Sequence, residues 1–299
     1  MPAPLDSGVL KRYGDKKVSL IFAGGEPLLE WKKMKYLILY AIYQVKKSNV
    51  QIETIGFPTN GLLLDEKILL FCREKNIKVG VSVDGACNYR KTIKGRDSFA
   101  LLRKKFPLFV KFQDVLRIRM TIAPEYAGKL FFNFKKLLKE GFFNIDMQPA
   151  IGLRWPNKFR RLYLNNLKKF LEIVKERETK RNERFFVKHL QDFVAGRRDK
   201  YRAKDWQTVL MDLDGSFYPC EFFLAIPLGE REKYAIGHIS RGLNFNLAKN
   251  YKAHKTCFKI CLRSNFQKRK FDPVLIRDNL RLLKGIEKIY TKYQHLISK

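Results

Sequence analysis

Residues 18–27, VSLIFAGGEP, decide the fold. The first six form an apolar run of the kind a strand needs when both of its faces are covered, and Gly24-Gly25-Glu26-Pro27 ends it. A helical pattern follows from 29 to 47. The same punctuation then repeats. Residues 51–57 read as a second strand closing on Thr59-Asn60-Gly61, and Asp65 caps a helix running to 75. Residues 78–83 form a third strand ending in Asp84-Gly85. A helix near 99–106 leads to a fourth strand at 115–122, and a helix at 126–140 to a fifth at 143–149. Strand, loop and helix in units of this length predict right-handed crossovers and a parallel sheet, open or barrel-like.

Beyond this region the texture changes. A charged helix is predicted over 157–184 with apolar Leu164, Leu167, Phe170, Leu171 and Val174, and another over 185–195. Residues 208–218 read as a hairpin in which Asp214-Gly215 supplies left-handed turn residues. A boundary near residue 200 separates two domains, 1–200 and 201–299, the second ending in a helix from 273 to 297.

The 299 residues are 45% hydrophobic, enough to build a core, which excludes disorder over most of the length. Lys and Arg number 61 against 29 Asp and Glu, a net charge of +32 that points first to a polyanionic partner. The excess is spread evenly, however, with 27 basic and 14 acidic side chains up to residue 150 and 34 and 15 after it. A general compositional bias explains such a spread as well as an anionic partner does. No nucleic-acid-binding motif is present, which counts against nucleic acid. No apolar run reaches the roughly 18 residues of a membrane helix, and the start lacks a secretory pattern. Five cysteines, an odd number, fit a reducing cytoplasmic location in which thiols are free, metal-bound or catalytic.

In parallel α/β folds, ligands bind beyond the carboxyl ends of the strands. Here those ends carry Gly24-Gly25-Glu26-Pro27, where bare backbone admits a ligand and a carboxylate suits an ammonium group. They also carry Thr59-Asn60-Gly61 and Ser82-Val83-Asp84-Gly85, with Arg90 just beyond as a carboxylate partner. Together they describe a site for a small zwitterion bearing a ribose.

FAGGEPLL at 22–29, FPTNGLLLDEKILLF at 57–71, VGVSVDGA at 79–86, LRIRMTIAPE at 116–125 and FYPCEFF at 217–223 resemble the radical S-adenosylmethionine enzymes. The match is to the branch with a C-terminal cysteine-bearing module of the SPASM or twitch type, which includes anaerobic sulfatase-maturating enzymes and peptide maturases. The resemblance runs from about residue 18 to 261. It implies an α/β chain forming a partial (β/α) TIM-like barrel with a small C-terminal cysteine-bearing module. It implies S-adenosylmethionine and a [4Fe–4S] cluster as cofactors, and hydrogen abstraction from a peptide or protein substrate by a 5′-deoxyadenosyl radical. By that resemblance Gly24, Gly25, Glu26 and Pro27 hold the cofactor's amino group. Asn60, Ser82 and Asp84 line its methionine and ribose, and Arg90 meets its carboxylate.

The family's CxxxCxxC loop, whose thiolates hold the cluster, has no counterpart, because no cysteine precedes Cys72. Two explanations stay open: a fragment of a longer protein, or a degenerate relative that lost the cluster. In the C-terminal module Cys220, Cys257 and Cys261 match part of an auxiliary iron–sulfur set, with His238 or His254 as a fourth ligand. Zinc held by three cysteines and a histidine, or buried free thiols, are the alternatives. Glu221 stands where the sulfatase-maturating group carries a proton-accepting aspartate. A function of another class also remains: a catalytically silent barrel that binds an acidic peptide or nucleic acid through its basic surface.

Overall fold

A computed structural model of the protein describes residues 17–47, 50–83, 97–181, 209–218, 223, 226–244 and 273–293. Strands β1 (Lys17–Ile21), β2 (Gln51–Thr59), β3 (Ile77–Ser82), β4 (Leu116–Ile122) and β5 (Ile145–Pro149) form one sheet in sequence order, each neighbouring pair parallel. Helix α1 (Trp31–Lys46) links β1 to β2, and α2 (Glu66–Glu74) links β2 to β3. Helices α3 (Ser98–Arg103) and α4 (Phe106–Lys111) precede β4, and α5 (Leu130–Lys139) precedes β5. In-order parallel strands joined by helices curl into the expected half-barrel.

The sheet has two unlike faces. Ile55, Phe57, Val79, Val81, Ile118 and Met147 are buried in one core with the helices. The alternate residues on the inner face are polar or glycine: Gly56, Lys78, Gly80, Ser82, Arg117 and Arg119. Gly80 is required there, because a Cβ would lie 2.6 Å from Cδ of Arg119.

Several boundaries differ from the sequence reading: β1 ends at Ile21, the helix read from 126 begins as a 3-10 turn over Pro124–Lys129, and three further differences have a clear local reason. β2 continues through Pro58 to Thr59, since its pairing with β1 stops at Gly56 and the proline's missing N–H leaves no ladder bond unmade. The helix near 99–106 is two short helices, α3 capped by the Asp97 side chain and α4 beginning with Pro107 in its first turn. β5 starts at Ile145 because the Gln113 side chain accepts the N–H of Phe143 at 2.8 Å and of Asn144 at 3.1 Å, which takes those donors from the ladder, although the Asn144 carbonyl accepts from Ile118 N at 2.9 Å.

After β5, helix α6 (Asn157–Arg181) buries Tyr163, Leu167, Phe170 and Leu171 against the barrel. The region predicted as a helix at 185–195 lies outside the described residues. A small antiparallel meander follows, made of β6 (Leu210–Met211), β7 (Ser216–Tyr218), β8 (Gly237–His238) and β9 (Gly242–Leu243). Helix α7 (Leu228–Arg231) sits between β7 and β8. In the β6–β7 turn only Gly215 is left-handed, at φ +86°, so the turn is a tight turn closed by one glycine and not the paired left-handed Asp-Gly expected.

The last helix, α8 (Pro273–Tyr293), packs on α6. Leu164 fills the space over Gly285, and the Tyr293 hydroxyl donates to Glu172. Burial, reinforced by that carboxylate, pushes the Tyr293 phenol up to about 12. Asn279, almost fully buried, accepts from Gly152 N at 3.2 Å and donates to Leu153 O at 2.8 Å, tying α8 to the loop after β5. Asn279→Ala removes both bonds and leaves two loop groups unpaired. Stability in urea should fall by about 1–3 kcal/mol, and an unchanged midpoint would show that α8 does not brace that loop.

Candidate functional site

Glu26 organises the carboxyl edge of the sheet. Its backbone is extended, at φ −144° and ψ 103°, and it caps the short 3-10 turn Pro27–Glu30, with Pro27 in the first turn where no N–H is needed. One carboxylate oxygen accepts from Leu28 N at 3.2 Å and from the Thr59 hydroxyl at 2.7 Å. The other accepts from Asn60 N at 2.7 Å. Three of roughly four acceptor positions are filled from two strand ends, so the carboxylate clamps the Gly-Gly loop to the end of β2. One acceptor position of the carboxylate is left over for an ammonium group.

The Thr59 hydroxyl also accepts from Gly61 N at 3.0 Å, and the Asn60 side-chain oxygen accepts from Leu62 N at 2.9 Å. The amide nitrogen of Asn60 keeps its donors unused among the described residues. Gly61 is structural: its φ is +78°, and a Cβ would meet Val81 Cγ1 at 2.8 Å. Gly24 and Gly25 differ. Neither has a left-handed φ, both are exposed, and a Cβ on either would have nothing within 4 Å. Their bareness serves no packing among the described residues. Ser82 ends β3, half-buried, one residue beyond the register partner of Thr59, so it stands at the same edge as Glu26 and Asn60.

Arg117 and Arg119 were not singled out from sequence, although the signal was there. LRIRMTI alternates apolar and polar residues in a strand whose parallel setting calls for a continuous apolar run. Arg119 is half-buried, pairs in register with Ser82 on one side and Asp146 on the other, and lies across Gly80. Its guanidinium has no hydrogen-bonding or ion-pairing partner among the described residues. Lys78 lies lower on the same face, its ammonium 2.7 Å from Asn76 Oδ1. Burial, then the nearby Arg117 charge, pulls its pKa down.

Asp84, Arg90, Cys220, Glu221, His254, Cys257 and Cys261 lie outside the described residues. His238 is not available as a ligand: one ring nitrogen is 2.7 Å from Ser240 Oγ and the other 2.9 Å from Asp214 O. Cys72 is fully buried, and burial pushes its thiol up to about 12. Among the described residues no cluster of three His, Cys, Asp or Glu side chains could hold a metal, and no helix is long and apolar enough to cross a membrane.

No family model matches the chain. The cysteine-type anaerobic sulfatase-maturating enzyme of Clostridium perfringens is 25% identical over 276 residues, covering 82% of this chain and 70% of that protein. Its counterpart in Clostridium novyi is 23% identical over 270 residues, covering 79% and 67%. The chain is a homologue of the anaerobic sulfatase-maturating enzymes. These relatives are radical S-adenosylmethionine proteins, as the motifs of this sequence indicated. A solved structure of anSMEcpe with bound AdoMet has the same fold, with a TM-score of 0.68 at 20% identity over 97% of this chain and 86% of that one. Another, of anSMEcpe with bound AdoMet and the Cp18Cys peptide, superposes at 0.65 and 18%, covering 93% of this chain and 86% of that one.

Two outcomes follow for this sulfatase-maturase homologue. Glu26→Gln turns one acceptor oxygen into a donor, unpairing either Asn60 N–H or the shared Leu28 and Thr59 donors. It should lower stability by about 1–3 kcal/mol in chemical denaturation. Cys72 should resist alkylation in the native protein and react once the chain is unfolded, as peptide mass mapping would record.

Proposed function

We propose that this chain is a radical S-adenosylmethionine protein of the peptide-modifying type, with S-adenosylmethionine bound at the carboxyl edge organised by Glu26. The observation that carries the reading is the pair Gly24 and Gly25, where a Cβ would meet nothing among the described residues, beside a loop held by a carboxylate. That opening fits a ligand which must approach backbone closely. Gly24 to Pro27 would supply main-chain groups to the ligand's amino end. Asn60 would offer its unused amide donors, and Ser82 its hydroxyl, along the methionine and ribose. Asp84 and Arg90 complete the set by family resemblance. The anSMEcpe structures that contain AdoMet, one of them with a peptide, support both the cofactor and the class of substrate.

When bound, a [4Fe–4S] cluster supplies the electron that cleaves S-adenosylmethionine. The described residues do not fit it: they contain no thiolate set, and Cys72 is sealed in the core. The roles derived for this chain's residues therefore end at binding and orienting the cofactor and a peptide. Residues 1–200 would form the barrel and 201–299 the module, with Cys220, Cys257 and Cys261 as its metal-binding thiols and Glu221 as proton acceptor. A cytoplasmic, reducing setting belongs to the same reading.

The net charge of +32 carries the second reading, a silent barrel that binds an acidic peptide or nucleic acid. Anaerobic iron–sulfur reconstitution separates the two, since 5′-deoxyadenosine formed by this chain contradicts silence. The cofactor site is tested by thermal shift. S-adenosylmethionine should raise the melting temperature of the wild-type chain, because a ligand selective for the folded state stabilises it. Gly25→Val should melt as wild type without ligand, its side chain entering open space, and should lose the shift. No shift in the wild type overturns the proposal.

A further inference from the structure

We infer that Arg119 is the docking point for a carboxylate of the peptide substrate, placed on the inner face of the half-barrel beside the cofactor edge. Four observations carry this. The guanidinium is half-buried and meets no partner among the described residues. Leaving a partly desolvated charge unpaired is unfavourable, so an anion arriving from outside gains strongly there. The side chain lies over Gly80, its Cδ 2.6 Å from where a Cβ would stand. A Cβ at that strand position would make Arg119 shift. The register sets it opposite Ser82, the last residue of β3, one strand across from the proposed cofactor edge. Finally, Arg117 and Lys78 lie on the same face, where burial and then the Arg117 charge pull the Lys78 pKa down, so Arg119 stands among like charges that an anion would offset.

A carboxylate is the matching chemistry. The planar guanidinium presents parallel donors that fit two oxygens at once, which a lysine ammonium cannot do. The carboxylate can come from an acidic side chain or from a peptide C-terminus. Asp146 is in register with Arg119 on the far side, in β5.

The inference rests on the peptide-binding reading above, and its test separates the two. Fluorescence polarisation would follow three labelled peptides of otherwise neutral sequence binding to the full chain. One has a central Glu and an amidated end, one has Gln and an amidated end, and one has Gln and a free C-terminal carboxylate. At least one carboxylate-bearing peptide should bind roughly tenfold tighter than the neutral one, the scale of one charge-assisted pair. Which of the two does so identifies the source. Arg119→Gln should erase the preference, Arg119→Lys should retain part of it, and Lys139→Gln on the outer surface should leave it intact. Equal binding of all three peptides by the wild-type chain overturns the inference, and that comparison needs no variant to fold. A preference that survives Arg119→Gln overturns it as well.

The S-adenosylmethionine shift is measured on the same proteins. If Arg119→Gln abolishes it, the guanidinium serves the cofactor's own carboxylate and the inference fails while the proposed function stands. If the wild type shows the peptide preference without any cofactor shift, the inference stands and the proposed cofactor site fails.

Discussion

The carboxylate of Glu26 is the constraint on which the carboxyl edge depends. Through it the Gly-Gly loop after β1 and the Thr-Asn-Gly loop after β2 become one surface. Hydrogen bonds to an ionised acceptor are worth more than neutral ones, about 1.5–3 kcal/mol each. Three of them outweigh the entropy of fixing an exposed glycine pair. The loop can therefore present bare backbone to a ligand without collapsing, which is what separates Gly24 and Gly25 from Gly61, a glycine imposed by its own φ and by Val81.

The second constraint is the contrast between the faces of the sheet. Helices cover the outer face, and Ile55, Val79, Ile118 and their neighbours supply the apolar burial that stabilises the barrel. The inner face does not repeat that pattern. It keeps Ser82, Arg117 and Arg119, with Gly80 leaving room for the Arg119 arm and Gly56 for the main-chain carbonyl of Lys78. A sheet built only for stability would be apolar on both sides, so the polar inner face marks the side at which a ligand is handled.

Much of this was legible in the sequence, because the strands read at 18–23 and 78–83, found at 17–21 and 77–82, and the cap at Asp65 follow from local chemistry. The order of the strand-end motifs carried the family resemblance in the same way. What stayed illegible depended on contacts distant in the chain. Gln113 delays β5 by capturing Phe143 and Asn144, and Asn279 holds a loop more than 120 residues before it. The engagement of Glu26 with Thr59 and Asn60 spans two strand ends, so sequence showed a carboxylate suited to an ammonium group and not the clamp. His238 looked like a metal ligand until Ser240 and Asp214 were found on its two ring nitrogens.

The most direct measurement is a crystal structure of the full chain with S-adenosylmethionine. The Glu26 clamp should remain closed, with the methionine end of the ligand against Gly24 and Gly25 and its length running past Asn60 and Ser82. A ligand seated elsewhere, or a saturated crystal with that edge empty, would contradict the central claim that the clamped glycine loop is a cofactor site.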